Sequence, residues 1–343
     1  MTDTARPRRA WRIGGFFIKL LIGLLLLAAL AYFGYLGMEA SHRLVNQHTR
    51  NADCSTPAQL GIAYEAINYD QALEAQVTTG PTGDIECVAV GPPAGDTVVS
   101  SDGVRLAGWY VPAASGIGPT GPTVVVAHGW TNNKSGVIET LSVFHAQYNV
   151  VLFDFRNHGQ SDDSQTTQGI NEQFDLAAVL NWLEATKGPE TIVLWGQSMG
   201  GHASVNTAAH DPRVDALILD STHSSLTVPM ANRIELDGYP FGQIGAMAGV
   251  AGAFIRTGVD VTREDPVDAI AELGTRPVLL LHAGADDTIP LADAEVMRDA
   301  ALAAGVDVHL EICADAGHAE IIDTCPADYQ LWVDELMARV TGG

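Results

Sequence analysis

Six short apolar runs, at residues 123–127, 150–153, 191–195, 216–219, 277–282 and 306–312, constrain this chain more than any other feature. Each has the length of a strand rather than a helix, and most are apolar throughout instead of alternating. Unbroken apolar runs belong to strands covered on both faces. The intervening stretches supply that cover: 171–187 and 293–304 have helical character, and 329–340 forms a closing helix. Strand, helix, strand repetition at this spacing predicts an α/β fold with a mostly parallel sheet flanked by helices. With 47% hydrophobic and 17% charged residues, the chain can bury the core such a sheet needs.

Three regions depart from the alternation. Residues 97–111 read as a β-hairpin, because β-branched residues flank a two-residue Asp102-Gly103 turn. Residues 222–273 lie between two strands and hold many small apolar side chains around 241–255, which fits an inserted helical lid or a long crossover. Residues 39–95 lack strand alternation; 58–75 could be helical, and the rest is rich in Thr, Gly and Pro. That segment reads as a stalk or cap leading to a catalytic domain at 96–343.

Chemistry concentrates where strands end. Gly196-Gln197-Ser198-Met199-Gly200 follows one strand and precedes a helix expected at 201–209. A serine nucleophile needs a tight strand-to-helix turn that projects its hydroxyl, and flanking glycines let the backbone pack there. The pentapeptide alone is a weak signal; its strand-to-helix context gives it weight. Asp286 and Asp287 follow the strand at 277–282, and either could orient a histidine, with Asp286 favoured by its spacing from His282 and Pro290. An Asx turn is the structural alternative for both acids. His318, after the last strand, can take the serine proton and return it to a leaving group. His128-Gly129-Trp130 follows the strand at 123–127, making the backbone N–H groups of Trp130 and Met199 the candidate oxyanion donors.

His128-Gly129 after one strand, Asp154-Phe155-Arg156-Asn157-His158-Gly159-Gln160-Ser161 after the next, then Gly-Gln-Ser-Met-Gly, Asp286 and Gly317-His318 together resemble the α/β-hydrolase superfamily. The likeness is greatest to its membrane-anchored, single-domain serine hydrolases of the esterase or lipase type, and it spans about 96–340. It implies an eight-stranded, mostly parallel sheet and hydrolysis through an acyl-enzyme, with no cofactor and no metal. It also implies that Asp154, Arg156, His158 and Gly159 shape the loop beside the pocket, with Glu172 and Asp175 as scaffold. Two departures stand out: Ala283 occupies a position where glycine often follows the strand-end histidine, and the doubled Asp286-Asp287 blurs the acid's identity. Carboxylic ester hydrolysis on an acyl-ester small molecule or lipid is the expected activity. Thioesterase, peptidase and acyltransferase chemistry, or a catalytically silent membrane-tethered binding module, are the alternatives on the same fold.

The N-terminus carries a second message. Residues 13–38 form an apolar run preceded by the basic tail 1–12 and followed by Glu39, a pattern that predicts a transmembrane signal-anchor with the catalytic domain outside the cytoplasm. Ala29 and Ala31 offer a cleavage pattern, so a signal peptide is the competing reading. From Glu39 onward 13 basic residues face 40 acidic ones, a balance of −27 that argues against nucleic acid as a partner. The four cysteines all lie beyond the apolar run, and pairing by proximity predicts disulfides Cys54–Cys87 and Cys313–Cys325, against four buried thiols.

Overall fold

The computed structural model describes residues 8–46, 55–68, 77–79, 85–87 and 98–342. Its first element is a single long helix, α1 (Arg8–Asn46). Among the described residues twelve strands follow. Two pairs stand apart from the main sheet: β2 (Val77–Thr79) with β3 (Ile85–Cys87), and β4 (Val98–Val99) with β5 (Arg105–Leu106). The other eight are β1 (Glu65–Ile67), β6 (Gly108–Val111), β7 (Thr123–Ala127), β8 (Asn149–Phe153), β9 (Ile192–Gln197), β10 (Ala216–Asp220), β11 (Val278–Ala283) and β12 (Val308–Cys313). They form one sheet in the order β1-β6-β8-β7-β9-β10-β11-β12. β1 and β6 are antiparallel to their neighbours, and all pairs from β8 to β12 are parallel.

Cover on both faces explains the unbroken apolar runs. Along β7, Val125 and Ala127 face one core while Val124 and Val126 face the other; β9 and β10 alternate in the same way. The first core is roofed by α3 (Glu172–Thr186), α4 (Met199–His210), α7 (Pro266–Ile270) and α8 (Leu291–Ala304). The opposite core is closed by α2 (Thr140–Phe144), α9 (Ile321–Thr324) and α10 (Pro326–Thr341). Arg156 is fully buried because Asp175 on α3 takes its Nη2 at 2.7 Å and Asp102 takes its Nη1 at 2.7 Å, which ties the loop after β8 to the helix behind it.

Two expectations are corrected. The helix expected over 58–75 is replaced, across its described part, by a single 3-10 turn, Pro57–Leu60, and then by β1. Gly61 ends the turn in a left-handed conformation (φ 74°), which breaks helical continuation, and residues 65–67 gain hydrogen-bond partners from β6 instead. Residues 69–75 lie outside the described residues. The hairpin expected over 97–111 is shorter than read: only Val98–Val99 and Arg105–Leu106 pair, and Gly108–Val111 departs to join the main sheet. Gly108 allows that close fit, since a Cβ there would sit 2.8 Å from the Leu152 carbonyl oxygen.

Between β10 and β11 stand α5 (Thr227–Leu236), α6 (Gly242–Thr257) and α7. The first two form a lid-like layer with a core of its own, in which Leu226, Met230, Ile234 and Ala253 meet Leu44 and Val45 of α1. Burying Leu44 and Val45 in that layer contributes roughly 1.5–3 kcal/mol each. The contact between α1 and α6 is a seam of small residues: a Cβ on Gly37 would lie 2.7 Å from the Ala248 carbonyl, and one on Gly252 would lie 2.6 Å from Ser41 Oγ. Only glycine at these positions permits the two backbones to approach so closely.

Candidate active site

β7 sits between β8 and β9, so the chain moves to one side of β7 for β8 and to the other side for β9. Beyond the carboxyl ends of β7 and β9 this reversal opens a crevice, the place where α/β sheets bind ligands. Ser198 stands there between β9 and α4, with φ 53° and ψ −114°, a strained conformation for a residue with a side chain. Its N–H donates to the Asp220 carbonyl at 2.9 Å. The strain is held by packing: a Cβ on Gly200 would overlap the Ala127 carbonyl at the end of β7, so the helix after Ser198 presses directly on the neighbouring strand.

The loop after β7 reaches the same point. A Cβ on Gly129 would lie 3.6 Å from Ser198 Cβ, which places the Gly129 backbone beside the serine, and the next residue, Trp130, lines the same pocket. His128 fixes this loop. Its Nδ1–H donates to the Gly129 carbonyl at 2.8 Å while its Nε2 accepts from the Phe155 N–H at 3.0 Å. Complete burial pushes its pKa down to about 3, so the ring is neutral, as that pair of bonds requires. Beneath the loop, Lys134 Nζ pairs with the buried Asp154 at 2.6 Å. The Met199 N–H opens α4, one of the helix-terminal donors without an intrahelical partner.

The loops after β11 and β12 bring in the remaining groups. His318 Nδ1 lies 2.7 Å from Asp286 Oδ2, and the Asp286 side chain is wholly buried. Asp286 Oδ1 accepts from the N–H groups of Thr288 and Ile289, at 2.9 and 2.8 Å, so the carboxylate cannot turn away from the histidine. Asp287 is exposed, and its contact is the neighbouring Thr288 hydroxyl. A disulfide joins Cys313 to Cys325 and closes the loop that carries His318. Of the other expected pair, Cys54 lies outside the described residues, while Cys87 ends β3.

Ser198, His318 and Trp130 line one pocket of about 430 Å³. Its apolar walls come from Leu36 and Leu44 of α1 and from Leu226, Met230 and Ile234 around α5. None of these wall residues stood out in the sequence, because nothing along the chain relates an N-terminal apolar helix to a strand-end serine. His223 also lines the pocket; burial depresses its pKa well below the usual range, and it meets His202 at 3.2 Å. Asp220 was missed as well. Buried at the end of β10, it accepts from Ser221 Oγ and from Tyr329 Oη, and burial raises its pKa to about 6. Its strand-end position, shared with Ser198 and Asp286, was the available signal. Among the described residues no group of His, Cys, Asp or Glu is arranged to hold a metal ion.

A family model of the alpha/beta hydrolase fold matches residues 122–267. An uncharacterized protein of Mycobacterium tuberculosis is 30% identical over 223 residues, which cover 61% of this chain and 68% of that protein. A lysophosphatidylserine lipase of Xenopus tropicalis is 26% identical over 181 residues, 49% of this chain and 44% of the lipase. Among solved structures, an esterase of Pyrococcus furiosus superposes with a TM-score of 0.63 at 20% identity, over 84% of this chain and 95% of the esterase, a likeness of fold.

Proposed function

The chain belongs to the α/β-hydrolase superfamily, and from that membership we propose that it is a serine hydrolase that cleaves carboxylic esters through an acyl-enzyme. Ser198 is the nucleophile, His318 the base and Asp286 the acid. The observation that carries this reading is the 2.7 Å contact of His318 Nδ1 with the buried Asp286 carboxylate, in a pocket His318 shares with Ser198. With Nδ1–H donating to Asp286, the lone pair of His318 is on Nε2, the tautomer a general base needs.

Ser198 Oγ attacks the acyl carbon as Nε2 takes its proton, and the N–H groups of Trp130 and Met199 stabilise the oxyanion. Collapse breaks the bond to the alkoxy oxygen, which leaves with the proton from Nε2. Water then adds to the acyl-enzyme with His318 again acting as base, releasing the acid and restoring Ser198. In the reading proposed here α1 is an uncleaved membrane anchor with the catalytic domain outside the cytoplasm. Support comes from an apolar segment that the other described residues leave uncovered.

Turnover of a p-nitrophenyl ester series by the full-length protein in detergent tests the chemistry. Wild-type protein should hydrolyse the esters and label with a fluorophosphonate, and Ser198→Ala should do neither while remaining folded by circular dichroism. Turnover of thioesters or peptides in place of esters would reassign the substrate; no labelling of folded wild-type protein would remove the serine hydrolase reading altogether.

A further inference from the structure

α1 is longer than a membrane span requires. Between Lys19 and Glu39 it carries 19 consecutive uncharged residues, which at 1.5 Å per residue make about 28 Å, close to the hydrocarbon thickness of a bilayer. Over this stretch the large apolar side chains from Leu20 to Leu30 are exposed. Within the next two turns the surroundings change on one face of the helix. Leu36 is 3% exposed and Leu44 is 5% exposed, both packed into the lid, and the helix continues unbroken to Asn46.

The buried part of α1 is a wall of the catalytic pocket. Leu36, Ala40 and Leu44 line it together with Ser198 and His318. On the solvent side stands a collar of charges that also line the pocket: Arg43 pairs with Glu39 at 2.9 Å and with Asp237 at 3.3 Å, and Asp237 pairs with Arg233 at 3.1 Å. An apolar chamber under a charged collar suits a molecule with an apolar chain and a polar head. Because Leu36 and Glu39 stand where the apolar span ends, that chamber opens within about one helical turn, roughly 5 Å, of the bilayer surface. The lid adds a second apolar surface beside the helix, where Phe241, Ile244 and Met247 of the α6 end nearest Phe33 are exposed.

We infer that α1 is both anchor and pocket wall, and that the substrate is a long-chain ester amphiphile taken from the bilayer in which α1 sits. This rests on the serine esterase reading and adds the source and class of its substrate. The acyl chain passes along Leu36 and Ala40 toward Ser198 without crossing water, so the cost of exposing it, about 0.8 kcal/mol for each methylene, is avoided.

The test uses the full-length protein in phosphatidylcholine vesicles, with rates scored per fluorophosphonate-reactive Ser198 so that unfolded protein is discounted. 4-Methylumbelliferyl palmitate is placed either in the protein's own vesicles or in separate, protein-free vesicles, and the soluble butyrate ester serves as reference. Turnover of the palmitate should be at least about tenfold faster from the shared bilayer, and Ala40→Trp, which fills the chamber, should lower the palmitate-to-butyrate ratio at least about tenfold. Leu30→Trp, on the exposed apolar face, should leave that ratio within about twofold. Equal palmitate rates from the two vesicle populations, or an unchanged ratio in Ala40→Trp, would overturn the inference. If Ser198-dependent butyrate hydrolysis then persists, the esterase reading stands without it; if no ester is cleaved and Ser198 does not label, both fall together.

Discussion

Asp286→Asn isolates what the buried carboxylate does, because asparagine keeps the shape and reverses one hydrogen bond. Oδ1 would still accept from the N–H groups of Thr288 and Ile289, which now hold Asp286 at 2.9 and 2.8 Å, so the loop should stay in place. The other oxygen, 2.7 Å from His318 Nδ1, would become an NH₂ group that must donate. His318 Nδ1 then has to accept, its proton moves to Nε2, and the ring can no longer take the Ser198 proton. A wrong tautomer in intact geometry costs roughly four decades in kcat, equivalent to about 5 kcal/mol of transition-state stabilisation. Asp287→Asn is the matched control: Asp287 is exposed and contacts Thr288 Oγ1 at 3.3 Å, so kcat should change by less than about twofold. The assay is ester hydrolysis by the full-length protein across pH, normalised by titration of reactive Ser198, with thermal unfolding to confirm equal folding. A loss below about tenfold in Asp286→Asn, or an equal or larger loss in Asp287→Asn, would refute the assignment.

Two further outcomes follow from the same geometry. Replacing Cys313 and Cys325 by alanine removes a cross-link with a sequence separation of 12; stability should fall by roughly 3 kcal/mol, a Tm loss of about 6–12 °C, with kcat reduced because the loop carries His318. An unchanged Tm would mean the disulfide does not brace that loop. The buried His202, whose pKa falls to about 4 from an ordinary 6.5, is neutral in the folded protein and protonates more readily when unfolded. Its contribution is therefore present above pH 6.5 and lost as pH falls toward 4, so urea denaturation of His202→Gln should show a shallower loss of stability across that interval than wild type; parallel curves would show that His202 is not held neutral.

Much of the fold was legible because its physics is local. Strands covered on both faces must be apolar throughout, and the runs that became β7 to β11 stand out for that reason. The turn around Ser198 was legible too, since few sequences besides one rich in glycine can place a helix against the next strand as Gly200 does against Ala127. β1 was not: Glu65-Ala66-Ile67 carries no strand signal of its own and is extended because β6 offers it hydrogen bonds.

Residue types, their order and their strand-end positions were set by the sequence alone, and they bring the candidate nucleophile, base and acid to one edge of one sheet. Between two adjacent aspartates the sequence favoured Asp286 only by its spacing from His282 and Pro290; the N–H groups of Thr288 and Ile289 are what orient its carboxylate toward His318 in three dimensions. The apolar helix poses the same difficulty on a larger scale. A segment apolar on every side shows no periodic face, so nothing in its own residues reveals that Gly37 and Ser41 meet α6 or that Leu36 faces the pocket. That arrangement depends on the matching small residues of a helix some 200 positions away, and only tertiary packing brings the two surfaces together.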